Sequence, residues 1–319
     1  MLDLFHIPSN TDSTKIFYAQ GATAWQTWEK PRNAKFIQIF CLGGGASGGS
    51  GYRGTAGALR SGAGGGGSGG TTRAIYPAFL IPDVLYIQVG LGGAPSIGTT
   101  TGAGNIGNSG GISYVSMVPS STAINVLAQS STAGAVGGTA AGSTTSNSGG
   151  NAASTWSTTS FPFVSLGLIN TIAGIAGGAS TNATTQAITN VQSLGTTIVT
   201  GGAGGGSTNN VTAGSYFATA GGSILSASAI LTTSIPGGLT GSLIGAGNPG
   251  SSGYGSLSPF CGVGGSGGSG QASGSFNAGN GGDGWYGCGG GGGGTSSNLG
   301  TGGNGGRGGN GLVIITTIF

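Results

Sequence analysis

Short runs of β-branched and aromatic residues recur along the chain, separated by long stretches rich in glycine and serine. Four such runs are residues 35–42 (KFIQIFCL), 73–76 (RAIY), 84–89 (VLYIQV) and 312–319 (LVIITTIF). Runs of this composition between glycine, proline or turn residues are typical of strands. In residues 112–118 apolar and polar side chains alternate, which also predicts a strand. No stretch combines a helical period of apolar residues with capping residues, so we expect little helix.

These elements predict an all-β fold. We expect a β-sandwich, or a single sheet, closed by the N- and C-terminal strands and carrying extended glycine-rich segments and a large loop insert. The chain divides into an N-terminal arm or assembly segment (residues 1–24), the first part of a glycine-rich β domain (25–118), a Ser/Thr/Gly/Ala-rich insert (119–258), and a glycine-rich run with the closing C-terminal strand (259–319). We assign no fold to the insert.

The glycine-rich stretches carry a period of their own. Residues 301–311 and 264–270 repeat the pattern Gly-Gly-X. A period of three matches the polyproline-II helix, which has three residues per turn and no internal hydrogen bonds, so its backbone groups must bond to neighbours or to water. Ten prolines in the whole chain are too few for collagen. A flexible linker is the alternative, but residues 301–311 lead directly into an apolar strand, which favours ordered packing.

Composition narrows the class of protein. Of 319 residues, 78 are glycine, several-fold above ordinary usage, and only 4% are charged. No charged residue lies between Asp83 and Asp283, and the net charge of +3 is too small to indicate nucleic-acid binding. A surface this poor in charge is weakly protected against association. We therefore expect a homo-oligomer or polymer.

No targeting segment is evident in the sequence. Residues 1–6 (MLDLFH) lack a basic region followed by an unbroken apolar run, so we expect no export signal. The apolar stretch at residues 164–176 is interrupted and shorter than the ~20 residues that span a bilayer, so we expect no membrane span. Cys41, Cys261 and Cys288 show no metal-binding spacing. A Cys261–Cys288 bridge and three buried free thiols both remain open.

The residues needed for common catalytic sites are missing or scattered. His6 is the one histidine, so a serine triad has no base within a predicted core. The five carboxylates do not form an evident pair, and no lysine follows a glycine loop as in a P-loop. We expect a protein that is not an enzyme, with no cofactor and no metal.

Aromatic residues offer two alternatives. They could stack on sugars, or they could anchor a core that is poor in large side chains. We favour packing for Trp25 and Trp28, which flank a strand. The candidates for contact with a receptor or glycan are Trp285, Tyr286, Tyr52 and Arg53; Arg60 and Arg73 are further arginines that could contact anionic glycans or a neighbouring subunit.

An ordered set of motifs resembles a known group of proteins. Residues 28–31 (WEKP), the strand at 36–42 and the tract at 43–51 (GGGASGGSG) are similar to the opening of glycine-rich phage tail and virion proteins. The similarity continues at residues 64–70 and 85–93 and in the Gly-Gly-X run before residue 312. Members of that group are structural parts of tail fibres or spikes.

The resemblance implies a non-enzymatic, self-assembling component of a virion tail, fibre or spike. It would contact other virion proteins and host-surface glycans, and it would be located in the virion, assembled without a signal peptide. Two other classes remain as alternatives: a self-assembling extracellular fibril or matrix protein, and an ice- or surface-binding module with flat Thr/Ser/Ala faces.

Overall fold

The computed structural model describes residues 14–54, 60–123, 125–142, 146–157, 167–180, 191–192, 198–212, 215–225, 234–239, 246–257, 260–271, 275–296 and 300–319. Asp3, His6 and Asp12, which entered the search for catalytic groups, lie outside the described residues. The protein is all-β, as the sequence predicts: the one helical element in the described part is a single 3-10 turn, Ala78–Leu80.

Fifteen strands lie within the described residues: β1 (Thr14–Tyr18), β2 (Trp25–Glu29), β3 (Phe36–Leu42), β4 (Thr71–Pro77), β5 (Val84–Gln88), β6 (Tyr114–Ser116), β7 (Val126–Gln129), β8 (Leu168–Ile172), β9 (Val191–Gln192), β10 (Thr208–Thr212), β11 (Ser215–Ala218), β12 (Ile224–Leu225), β13 (Gly255–Leu257), β14 (Phe260–Gly262) and β15 (Leu312–Ile318). The strands β3, β4, β5, β6 and β15 fall where the apolar runs predict them. The strand β1 lies within the segment that the sequence assigned to an N-terminal arm.

The largest sheet has the order β1-β15-β3-β4-β8, and all of its neighbours are antiparallel. The C-terminal strand β15 therefore lies between β1 and β3, in register from Leu312 opposite Leu42 to Ile318 opposite Phe36. This confirms that the N- and C-terminal strands close a sheet. We call it the five-stranded sheet.

A second sheet, of order β2-β5-β6-β7, packs against one face of the first. The core between them takes Ile37, Ile39 and Ile315 from the five-stranded sheet and Leu85 and Ile87 from the four-stranded sheet, all with no exposed surface. Within this core the Tyr76 hydroxyl donates to the Leu127 carbonyl at 2.6 Å. The result is a β-sandwich.

The two ends of this sandwich differ. At one end the chain turns between strands, at residues 30–35, 78–83 and 117–125, and β15 also ends there. At the other end β3, β5 and β7 run out into glycine-rich segments, and β4, β6 and β15 begin from them. We call these the turn end and the bundle end.

The glycine-rich segments beyond the bundle end are extended but do not belong to the two sheets. They pack side by side into a bundle, here called the polyglycine bundle. Residues 43–51 lie inside it, and their amides donate in a repeating cycle of three: Gly45, Gly48 and Gly51 to residues 303–309, Gly44, Ser47 and Ser50 to residues 105–111, and Ala46 and Gly49 to residues 64–67. Carbonyls of the same segment accept from residues 290–293, from residues 138–141 and from Gly93. Six described segments thus surround it.

This three-residue cycle is the hydrogen-bond geometry of packed polyproline-II helices. Residues 301–309 follow it along their whole length: successive amides donate to residues 93–99, to residues 288–294 and to side chains at 277–283. Their burial has the same period, with the two glycines of each repeat buried and Asn304 and Arg307 exposed. Residues 264–270 are buried throughout. The flexible-linker alternative is therefore wrong for these two runs.

Glycine is required in the bundle because the segments approach too closely for a side chain. A Cβ at Gly45 would collide with the carbonyl oxygen of Cys288, and a Cβ at Gly48 would collide with that of Gly291. Small residues fill the few wider positions, as in the buried cluster of Ala46, Ala135 and Ala153. The composition of the chain thus follows from the distance between its backbones.

Described parts of residues 119–258 contribute to every layer of the molecule. They supply β7 to the four-stranded sheet, β8 to the five-stranded sheet, and segments such as residues 200–206 to the bundle. Three short two-stranded sheets, β10-β11, β12-β9 and β13-β14, complete the described pairing.

Candidate surface sites

The cysteines are buried and free. Cys41, Cys261 and Cys288 form no disulfide, so the Cys261–Cys288 bridge that the sequence left open is absent. Burial raises the pKa of the Cys288 thiol to about 12 and raises that of Cys41 further. Because the thiolate is the reactive form, these groups are poor nucleophiles in the folded protein.

Within the described ranges no group of three or more His, Cys, Asp or Glu side chains could hold a metal ion. Lys30 and Asp83 form an ion pair at the turn end, with 3.1 Å between the Lys30 ammonium and an Asp83 carboxylate oxygen. The Lys30 ammonium also donates to the carbonyls of Ala78 and Ile81, at 3.0 and 2.8 Å. This lysine fixes the turn between β4 and β5.

The fixed turn holds Phe79 outward, with 83% of its surface exposed. A shallow cleft of about 410 Å³ lies beside it, lined by Lys30, Arg32 and Asp83 among others. Phe79 was not among the surface residues predicted from the sequence. Its position next to Pro77 and before Pro82-Asp83, in a turn between two strands, was the available signal.

Trp285 and Tyr286 lie at the junction of the sandwich and the bundle, in a tight turn closed by the Cys288 amide donating to the Trp285 carbonyl. Both are half-buried. The two rings contact each other at 5.1 Å, Trp285 contacts Phe260 at 5.2 Å, and Tyr286 contacts Tyr18 at 6.0 Å. Their rings are engaged in packing, so only part of each side chain is accessible to a glycan.

The remaining tryptophans are placed differently. Trp28 is 3% exposed and belongs to the sandwich core, as the packing interpretation expected. Trp25 is half-buried on the same strand, β2. Trp156 is also buried, at 3% exposure.

Tyr52 and Arg53 lie at the far end of the bundle, here called the distal tip. The Arg60 guanidinium lies over the Tyr52 ring at 4.6 Å from its centroid. Arg53 and Gly102 exchange two backbone hydrogen bonds of 3.0 Å, which fixes the segment. Gly102 has a φ of 72°, a left-handed conformation that favours glycine. The tip therefore presents an aromatic ring with the Arg60 guanidinium over it and Arg53 as the next residue in the chain.

The structure does not bring the four candidate contact residues together. The Trp285 carbonyl lies beside Gly309, whose carbonyl accepts from Gly45, whereas Tyr52 lies seven residues further along the same extended segment. At about 3.1 Å per residue this separates the two pairs by roughly 20 Å. Arg73, the other arginine considered, is on β4, with its guanidinium 5.7 Å from the centroid of the Phe40 ring.

None of the helices among the described residues has the length and apolar character needed to cross a membrane. Comparison with curated proteins finds no match to this chain. A family model described as a glycine-rich domain matches residues 20–317, which includes both sheets and the bundle almost entirely. The chain therefore belongs to the glycine-rich domain family.

Proposed function

We propose that this chain is a non-enzymatic structural component of a virus particle, in the tail, a fibre or a spike, and that it assembles with copies of itself. The observation that carries the proposal is the polyglycine bundle, whose inner segments are hydrogen-bonded on all sides. Ordering so much glycine costs more backbone entropy than ordering other residues. The resulting bundle is compact and cross-connected by hydrogen bonds, which suits a mechanical role.

The poverty of charge supports assembly. The bundle and its loops derive mainly from the part of the chain between Asp83 and Asp283, which has no charged residue. Such a surface has little electrostatic protection against contact with another copy. The resemblance of residues 28–51 to glycine-rich phage tail and virion proteins supports a place in a virus particle.

The distal tip supports a second part of the proposal, contact with a host surface. Tyr52, Arg53 and Arg60 combine an aromatic ring with two permanent positive charges. Arginine binds carboxylate and phosphate groups through paired hydrogen bonds, and an aromatic ring stacks on the apolar face of a sugar. An anionic glycan on a host cell fits this chemistry.

The proposal is tested on the purified full chain and on virus particles. Light scattering over a range of concentrations should give oligomers, and negative-stain images should show a repeated symmetric arrangement. Antibodies raised against the chain should label the tail, fibres or spikes of particles. A monomer at every concentration would contradict self-assembly, and labelling confined to extracellular fibrils would favour the matrix-protein class instead.

A further inference from the structure

The five-stranded sheet has an outer face, opposite the sandwich core, that is apolar where a solvated sheet is normally polar. On β1, β15 and β3 the side chains alternate between the two faces. Phe17, Val313 and Ile37 point into the core. Toward the bundle end the outward-pointing Phe40, Leu42 and Leu312 are buried in a cluster with Phe260, Trp285 and Tyr286. The other outward-pointing residues form a surface that we call the outer strip: Thr14, Ile16, Tyr18, Ile314, Thr316, Ile318, Phe36 and Gln38.

Four large apolar side chains of the outer strip are well exposed. Phe36 is 45% exposed, Tyr18 44%, Ile318 41% and Ile16 38%. Register places Ile16 beside Ile314 and Ile318 beside Phe36, with the uncharged polar row of Thr14, Thr316 and Gln38 between the two pairs. Strands that are apolar on both faces are typical of sheets covered on both sides.

We infer that the outer strip is the surface through which a second copy of this chain docks, sheet face against sheet face. This deepens the proposed self-assembly by naming its interface, and it rests on that proposal. The outer strip carries no charged side chain. None of the eight residues of the strip is ionisable near neutral pH, so two copies can meet without repulsion and a charged partner finds no counter-charge.

The nearby cations lie outside the strip. Arg73 is on β4, to one side, with its guanidinium near the Phe40 ring. Lys15 is opposite Ile315 and therefore belongs to the other face of the sheet. An apolar centre with charge at its margin is the usual arrangement of a protein interface.

Two copies of the chain could also associate through an edge of the five-stranded sheet. β1 is an edge strand, and it could pair with a strand of another copy. Lys15, in the middle of β1, is exposed and directed toward the core side, and an inward-directed lysine on an edge strand opposes such pairing. Face-to-face docking is therefore favoured over pairing through β1.

The area of the face sets the expected strength. The outer strip covers three strands about 4.8 Å apart over about five residues of about 3.3 Å each, a planar footprint of roughly 250 Å². Stable interfaces bury about 800 Å² of accessible surface on each partner. We therefore expect a weak, reversible dimer with a dissociation constant in roughly the high-micromolar range, which a particle would reinforce by holding copies close together.

The test is sedimentation equilibrium of the full chain with single-residue variants. Ile16→Lys and Phe36→Lys place an unpaired charge within the apolar interface, and we expect each to weaken dimerisation at least about tenfold. Phe79→Lys at the turn end and Ile97→Lys on the bundle introduce the same charge at exposed apolar positions outside the strip, where Phe79 is 83% and Ile97 72% exposed. These matched controls should dimerise as the wild type does.

A second measurement does not depend on the stability of the lysine variants. Packed sheets lie about 10 Å apart, beyond the reach of a disulfide, so cysteines introduced one at a time at Thr14, Gln38 and Thr316 are joined with a short bismaleimide. The three native thiols are buried and should not react. At least one strip cysteine should give a cross-linked dimer, whereas Ile97→Cys should not.

The outcomes separate this inference from the proposed function. If the wild type assembles but the strip variants assemble equally well, or none of the strip cysteines cross-links, the outer strip is not the interface and self-assembly stands on another surface. If only Ile97→Lys loses assembly, the interface lies on the bundle. A wild type that stays monomeric at every concentration overturns both the interface and the proposed self-assembly.

Discussion

At the scale of single residues, the close approach of backbones dictates glycine at many bundle positions. In Gly48 the position of a Cβ is already taken by the carbonyl group of Gly291. The obstacle is backbone, which cannot rotate aside as a flexible side chain can. A methyl group there must separate segments that are bonded to each other along their length.

We therefore expect Gly48→Ala to lower the free energy of unfolding by about 3 kcal/mol, the upper range for overpacking a dense interior. Arg307→Ala, at an exposed third position of a Gly-Gly-X repeat, is the control and should change it by no more than about 0.5 kcal/mol. Denaturant titration with circular dichroism measures both. Equal stability of the two variants would mean that the bundle is looser than described.

The buried thiols make a second residue-scale prediction. Burial raises the pKa of Cys288 from 9.0 to about 12, so the folded protein holds that proton where the unfolded chain releases it. The contribution to stability is complete below about pH 9 and is lost as the pH rises from there toward 12. At pH 8 a thiol reagent should label the native protein slowly and the denatured protein rapidly at all three cysteines. Rapid labelling of native protein would contradict their burial.

At the scale of elements, residues 301–309 form an extended segment in which each backbone amide has an acceptor. The amides of Thr301, Asn304 and Arg307 donate to the side chains of Asn277, Asn280 and Asp283, at 2.7–2.9 Å. Donors and acceptors are both spaced three residues apart, so the three hydrogen bonds form a regular ladder. The side chains of Asn277, Asn280 and Asp283 accept hydrogen bonds that backbone carbonyls accept elsewhere in the bundle, and they close this side of the bundle.

Hydrogen exchange should reveal this arrangement. Amides of Gly303 and Gly306, which donate to the carbonyls of Gly294 and Gly291, should be strongly protected, in contrast to a linker. In Asn280→Ala the amide of Asn304 loses its acceptor, so its exchange should accelerate while Gly303 and Gly306 keep their protection. Exchange of all three at random-coil rates in the wild type would contradict the ordered bundle.

At the scale of the whole molecule, the two functions proposed for the surface lie on different parts. The outer strip is on the sandwich, and the distal tip with Tyr52 and Arg53 lies at the opposite end of the bundle. Two copies joined through their sandwiches would therefore leave their tips unobstructed. The arrangement allows one surface to serve assembly while the other contacts a host.

Because the outer strip is neutral, association should depend little on ionic strength. We expect the dimer dissociation constant to change less than about twofold when sodium chloride is raised well above physiological concentration, and to fall in sulfate, which strengthens apolar burial. Sedimentation equilibrium in the two salts measures this. Strong weakening by sodium chloride would indicate an interface based on the arginines instead.

Part of the fold could be predicted from the sequence because it is encoded locally. The strands β3, β5 and β15 are contiguous apolar runs, and Gly-Gly-X has the period of the helix that it forms. The strand β1 was not predicted, because it is short and contains Lys15, so its strand character depends on pairing with β15. β8 lies within the interrupted apolar stretch at residues 164–176, for which core strands were favoured over a membrane span.

The candidate site was predicted less completely, for a related reason. The residue types at Tyr52, Arg53, Trp285 and Tyr286 indicated surface contact, but their distance apart depends on the length of the bundle. Phe79 was not identified because its exposure depends on the hydrogen bonds of Lys30 across the turn.

The sequence by itself determined that the chain is all-β, that its glycine runs are extended with a period of three, and that its surface carries little charge. Only the tertiary structure decided which segments are neighbours. A glycine has no side chain by which one tract could be distinguished from another, so the pairing of residues 43–51 with 64–67, 105–111 and 303–309 is set by the sheets that anchor their ends. The exposed outer strip is likewise a property of strand order, since residues from β1, β3 and β15 meet only in the folded sheet.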